Sequence, residues 1–215
     1  MNESMNGPTR WWWVRHAPVL GCKGVIYGSN DVECDVTDTA HFKALAAALP
    51  KDAVWVTSHL SRARDTADAI SDAGLPFGEA AIEKDLGEQN FGDWQGLSWD
   101  QMREQDGEAY GVFWANPTRL RPPGGESFAD LIQRTADVIG RLTLEHQGRD
   151  IVAVAHGGTI RAALSVALSL EPKQGMALKI DNLSISVLEH VKDGLLRGAG
   201  GVWRVCGVNQ SVHKG

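Results

Sequence analysis

The sequence predicts an α/β protein of three layers, α/β/α, in which a mostly parallel central sheet carries helices on both faces. Short runs at 11–14, 53–57 and 151–155 have the length and the β-branched or aromatic content of buried strands. The last of these, Ile151-Val152-Ala153-Val154-Ala155, is apolar throughout, so both its faces are covered, as in a parallel sheet. Segments with helical periodicity alternate with these runs along the chain, which is the pattern of a sheet wrapped by helices.

The 215 residues, 43% hydrophobic and 22% charged, describe one ordinary globular domain, with no linker-like run to divide it. A domain at 11–208 is expected, preceded by a flexible polar leader at 1–10 and followed by a frayed tail at 209–215. The formal net charge of -6 and the lack of a basic block argue against nucleic acid and anionic membrane as partners. If the substrate is an anion, the positive charge that meets it must be local. Cys22, Cys34 and Cys206 are too few and scattered for a disulfide framework or a Cys-x-x-Cys metal site, so a reducing cytoplasm is expected. No signal-peptide core and no run of about 18 apolar residues occurs.

The first strand comes almost at once, in Trp11-Trp12-Trp13-Val14, and Pro18 stops it near His16. Arg15 and His16 therefore stand at the carboxyl end of a strand, where open α/β sheets bind ligands. A forked guanidinium beside an imidazole suits a phosphate ester. A long Gly- and Asp-containing loop at 20–35 follows, then a helix over 37–49 capped by Thr37 and ended by Pro50. The second strand, 53–57, runs into Ser58 and a second helix that Gly74 ends, with Arg62 and Arg64 in its first turns. Helix N-termini attract anions, so these arginines read either as half of a phosphate cradle or as solvated surface charges.

Residues 86–96 have no period and several glycines, and read as a loop. Glu88 stands in it near Phe91 and Trp94, either as a desolvated carboxyl suited to general acid work or as a solvated loop glutamate. Ser98 and Gln101 have capping-box spacing for a helix toward Tyr110. The turn at 122–127 feeds a long helix whose apolar face includes Leu131, Val138 and Leu142 and which Gly148 ends. After the strand at 151–155, His156-Gly157-Gly158 opens another helix, and glycines there let backbone approach a ligand closely. Residues 184–190 and 202–205 read as strands of a hairpin across a Gly-rich turn at 198–201.

Taken in order, Val14-Arg15-His16-Ala17, Ser58-x-Leu60-x-Arg62-Ala63-x-x-Thr66-Ala67, Leu86-x-Glu88-x-x-x-Gly92-x-Trp94-x-Gly96, Pro123-x-Gly125-Glu126-Ser127 and Val154-Ala155-His156-Gly157-Gly158 resemble the motifs of the histidine phosphatase superfamily. The resemblance implies the phosphoglycerate mutase-like fold and a metal-independent phosphomonoesterase with no cofactor, acting on a small phosphorylated metabolite. It makes His16 the nucleophile that becomes a phosphohistidine, and Arg15 and Arg62 the phosphate-binding arginines. It makes His156 the second histidine, protonated and donating to phosphate, and Glu88 the general acid and base. Gly157 becomes a backbone N–H donor to phosphate, and Arg64 a bystander. The chain departs from the family at Ala17, where Gly is usual and Ala fits only at negative φ or with room, and at Thr39-Ala40, where a Gly is usual.

The family's mutases carry a long insertion between the glutamate and the Gly-Glu-Ser turn. The short span 88–126 here implies an open pocket and hydrolysis in preference to phosphotransfer between metabolites. A mutase-type phosphotransferase and a non-catalytic phosphate-binding module of the same fold are the alternatives. The Arg-His-Ala-Pro start resembles the α-ribazole-5′-phosphate phosphatases of cobalamin biosynthesis, with Trp94, Trp99 or Trp114 offered as a surface for a flat base. The oligomeric state is left open, a homodimer being one case.

Overall fold

The tryptophan run forms β1 (Thr9–Arg15) near the middle of a six-stranded sheet in a computed structural model that describes residues 7–196 and 202–212. The chain continues through α1 (Thr39–Ala48), β2 (Val54–Thr57), α2 (Ser61–Asp72) and β3 (Ala81–Ile82). A segment with two short 3₁₀ turns and the helices α3 (Trp99–Gln105) and α4 (Gly107–Ala115) follows. Then come α5 (Phe128–Glu145), β4 (Asp150–Ala155), α6 (Gly157–Leu168), the single turn α7 (Pro172–Gly175), β5 (Ile185–His190) and β6 (Trp203–Gln210). The strand order is β3-β2-β4-β1-β5-β6. The first four of these strands run parallel, while β5 is antiparallel to both β1 and β6.

Strand alternation divides the core into the two halves that make three layers. Trp11, Trp13, Ile151, Ala153 and Ala155 face α5 and α6, together with Val138, Ile139, Ile160 and Leu164. Val14, Val152 and Val154 face α1 and α2, together with Phe42, Leu45, Ala63 and Ile70. Two tryptophans of β1 satisfy their polar edges: buried Trp11 donates Nε1 to Thr143 Oγ1 at 2.9 Å, and half-buried Trp12 donates Nε1 to Asp150 Oδ1 at 2.9 Å. Among the described residues, no helix is long and apolar enough to cross a membrane.

Several boundaries move for local reasons. β1 begins at Thr9, inside the leader expected at 1–10, because Thr9 pairs with His190 and Arg10 with Asp150, and Arg10 Nε donates to Glu189 Oε1 at 2.7 Å. β6 runs on through Asn209 and Gln210, where a frayed tail was expected, and Asn209 N donates to the Ser186 hydroxyl at 3.0 Å. The expected turn at 198–201 lies outside the described residues. Thr37 does not cap α1: its N–H and hydroxyl donate to Asp35, and Asp38 caps the helix by accepting from His41 N. The helix expected from Ser98 to Tyr110 has its capping box, but it breaks at Asp106 into α3 and α4.

Candidate active site

Adjacent registry in the sheet brings the two histidines together. β1 and β4 pair in parallel with Arg15 opposite Ala155, so the next residues, His16 and His156, leave the sheet side by side. Their rings lie 5.1 Å apart between centroids, tilted by 54°, and both side chains are fully buried. His16 Nδ1 lies 2.7 Å from the Ala17 carbonyl oxygen, and its Nε2 is buried with no hydrogen-bond partner among the described residues. A carbonyl only accepts, so Nδ1 carries the proton and Nε2 keeps a bare lone pair. His156 has the opposite arrangement: Nε2 lies 2.7 Å from Ser58 Oγ, and Nδ1 is buried without a partner.

Both imidazoles are held neutral. Burial first and then the Arg62 guanidinium lower the His16 pKa to about 3, with Arg15 adding less than the hydrogen bond to the Ala17 carbonyl opposes. Burial, His16 and Arg62 press His156 well below the ordinary histidine value. The protonated His156 expected from the family resemblance is therefore not the form this pocket favours, because a second positive charge meets low polarity and Arg62. Neutral His156 still donates if its proton sits on Nδ1, which the Ser58 hydroxyl permits by donating to Nε2. Ser58 Oγ in turn accepts from Leu60 N at 3.3 Å.

Arg62, in the first turn of α2, is buried and fixed from the loop at 20–35. Its Nη1 and Nη2 donate to the carbonyls of Asn30 and Gly28 at 2.7 and 2.8 Å, and Tyr27 lies under the guanidinium at 5.1 Å. Its Nε has no partner among the described residues. Asp31 caps the start of α2 by accepting from Ser61 N at 2.7 Å, so one loop both seats the arginine and ends its helix. Arg15 donates Nη1 to the Ile180 carbonyl at 2.6 Å, and its buried Nε is likewise unpartnered. Arg64, two residues past Arg62, lines a separate surface cavity of about 280 Å³ with Thr57, Phe77 and Glu79.

Glu88 meets the start of α6. Its carboxylate accepts from Gly158 N at 3.1 and 3.2 Å and from Gln89 N at 3.0 Å, and a Cβ at Gly158 would collide with it. Phe91 and Trp94, expected to desolvate this carboxyl, instead join Met102 and Phe113 in a separate aromatic cluster. The Gly157 N–H, next to His156, has no acceptor among the described residues. The Gly-Glu-Ser turn steadies the Glu88 loop: Glu126 accepts from Asn90 N at 2.9 Å and from Arg134 Nε and Nη2 at 2.9 and 2.7 Å.

Ala17 causes no strain. Its φ is not among the positive values of the chain, and its buried N–H donates to Thr66 Oγ1 at 2.9 Å. The Thr66 hydroxyl donates to the Arg62 carbonyl at 2.6 Å, linking the two motifs directly. Thr39 and Ala40 are exposed at the start of α1. Of the tryptophans offered as a stacking surface, Trp94 is fully buried against Tyr110 and Phe113, so it is withdrawn.

The structure brings together Arg15, His16, Arg62, Glu88, His156 and Gly157 as read from the sequence. It adds Ser58, Asn182, whose Nδ2 donates to the His16 carbonyl at 2.8 Å, and Arg161, half-buried on α6. Arg161 follows Gly157 by one helical turn, a spacing that could have pointed to it. Asn182 reaches the site only through the long-range pairing of β5, which no local pattern announces.

A family description, the histidine phosphatase superfamily (branch 1), matches residues 11–196. A metal-independent phosphoserine phosphatase of Arabidopsis thaliana is 33% identical over 187 residues, covering 84% of this chain and 75% of the relative. A Mycobacterium tuberculosis protein described as bifunctional is 33% identical over 142 residues, which span 66% of this chain but 38% of that protein. The structure of a mycobacterial glucosyl-3-phosphoglycerate phosphatase in complex with VO3 has a TM-score of 0.77 at 26% identity, covering 94% of this chain and all of that one. The α-ribazole phosphatase of Shigella flexneri, at 20% identity and a TM-score of 0.80 over 94% and 97% of the two chains, shares the fold. Family motifs, fold and named phosphatase relatives agree, and this chain belongs to the histidine phosphatase superfamily, branch 1, as a phosphatase.

Proposed function

We propose that this phosphatase hydrolyses a small phosphomonoester through a phosphohistidine on His16 Nε2, with no metal taking part. The observation that carries the reading is the state of His16: a buried neutral imidazole whose Nδ1 is committed to a carbonyl and whose Nε2 lone pair is unengaged. Phosphoryl transfer passes through a loose transition state, so the protein's work is to align the nucleophile and place positive charge around three equatorial oxygens. Arg15, Arg62, the Gly157 N–H and His156 Nδ1–H surround that position with donors.

In the first step the Nε2 lone pair forms the N–P bond as the P–O bond to the leaving group breaks, and protonated Glu88 gives its proton to the departing oxygen. In the second step Glu88, now a carboxylate, takes a proton from water. The water oxygen bonds to phosphorus, the N–P electron pair returns to His16, and inorganic phosphate leaves. The short segment between Glu88 and Glu126 supports access of water at this stage. The relatives' named substrates differ, and the α-ribazole reading rests on likeness of fold and on the Arg-His-Ala-Pro start. A small phosphorylated metabolite is the class these supports share. The three unpaired cysteines support a cytoplasmic setting.

The test is rapid quenching with a labelled phosphomonoester in chelator. Acid-labile, base-stable label on His16 that turns over to inorganic phosphate is the expected result. Turnover that stops in chelator, or that proceeds without label on His16, would overturn the reading.

A further inference from the structure

We infer that Arg161 is a specificity-determining residue that receives a carboxylate carried by the substrate close to its phosphate. The inference rests on the phosphatase reading and deepens it. Arg161 lies in the second turn of α6, and side chains on a helix point back toward its N-terminus. Its guanidinium therefore lies beside Gly157, next to Arg15: a Cβ built on Gly157 would stand 3.6 Å from Arg161 Nη1 and 3.4 Å from Arg15 Nε. Two guanidiniums flank one small patch of backbone at the mouth of the phosphate position.

The Arg161 charge feels the Glu88 carboxylate only at a distance and is not paired directly within the protein. Its Nε donates to the neutral Leu178 carbonyl at 2.7 Å, and among the described residues no carboxylate forms an ion pair with it. Glu88, the nearest acidic group of the site, is held by the N–H groups of Gly158 and Gln89. By contrast Arg134, also beside this loop, is paired with Glu126. Burial disfavours the Arg161 charge and Arg15 repels it, while Glu88 attracts it only from a distance, so the fork gains most when an anion arrives to pair with it directly. Arg15 is already pledged to the phosphate in the proposed mechanism, which leaves the forked face of Arg161 for a second group. A carboxylate matches that fork through two parallel N–H···O bonds.

The experiment compares 3-phosphoglycerate with glycerol 3-phosphate, which carries a hydroxymethyl group in place of the carboxylate. In the wild type, kcat/KM should favour 3-phosphoglycerate. Arg161→Met should reduce it for that ester about 10- to 100-fold, mainly through KM, while glycerol 3-phosphate changes less than about threefold. Arg161→Lys should restore part of the preference. An equal loss on both esters would overturn the assignment and make Arg161 a third phosphate ligand; no loss on either ester would overturn it outright. Calorimetric affinities of the same esters for His16→Ala protein, with and without Arg161→Met, separate this from the reaction itself. A ratio that shifts in binding while the wild type forms no phosphohistidine and hydrolyses no phosphomonoester of a broad panel would sink the proposed reaction and leave Arg161 assigned.

Discussion

The ends of β1 and β4 are neighbours in one sheet, each delivers a buried histidine, and yet the two imidazoles are prepared for opposite work. At the end of β1 the ring is held by a backbone carbonyl, which can only accept, so the inward nitrogen is a lone pair. At the end of β4 the ring is held by the Ser58 hydroxyl, which can donate, so the inward nitrogen can carry a proton. Burial is the same and Arg62 presses on both rings. The carbonyl therefore commits the first ring to the nucleophile's tautomer, while the hydroxyl leaves the second ring free to act as a donor.

The largest effect should come from removing the lone pair. His16→Ala is expected to abolish turnover, a loss of at least about 10⁴-fold, because no other group is placed to form the N–P bond. His156→Ala removes one of several donors and should cost about 10²- to 10³-fold, the usual scale for one transition-state hydrogen bond. Steady-state rates on p-nitrophenyl phosphate measure both. Equal losses would erase the distinction between the two strand ends.

Ser58→Ala is a gentler way to break it. Without the hydroxyl, His156 Nε2 loses its one partner, and nothing on that side orients the ring or supports the tautomer with its proton on Nδ1. About a tenfold fall in kcat is expected, together with an imidazole nitrogen signal for His156 that moves toward the other tautomer. Ser58→Thr should recover activity. A rate loss with an unchanged nitrogen spectrum would mean that Ser58 acts only through packing.

Much of this was legible in the sequence, for identifiable reasons. Aromatic and β-branched runs declared β1 and β4 because both strands are covered on two faces, and the residues at their ends are the chemical ones. The histidines, Arg15, Arg62, Glu88 and Gly157 could be read because each lies inside a short motif. The partners that decide their roles are distant: Ser58 meets His156 across β2 and β4, and Asn182 meets His16 across β5. Trp94 was misplaced because exposure cannot be read from residue type; its cluster with Met102 and Phe113 gives the segment between Glu88 and Glu126 a core of its own. Thr37 and Asp38 are both competent caps, and only the Asx turn with Asp35 decides between them.

The smallest effect reads the same two histidines through stability. Each has a folded pKa below its unfolded value of about 6.5, so the unfolded chain binds more protons as pH falls and folding weakens through that range. For His16 the loss begins near pH 6.5 and continues down to about 3, where the folded protein also binds the proton. Between pH 7.5 and 5.5 His16 should remove about 1.4 kcal/mol, with His156 acting in the same direction, a window that stays above the carboxylate range. Asp130 and Glu189, whose pKa values Arg121 and Arg10 hold down, lose their stabilisation only at lower pH. Urea unfolding of the wild type and of His16→Gln at both pH values isolates the term. The variant should lose about 1.4 kcal/mol less than the wild type on acidification, whatever its absolute stability. An identical pH dependence would mean that His16 accepts a proton in the folded protein near pH 6. The bare lone pair that sets the end of β1 apart from the end of β4 would then be lost near pH 6.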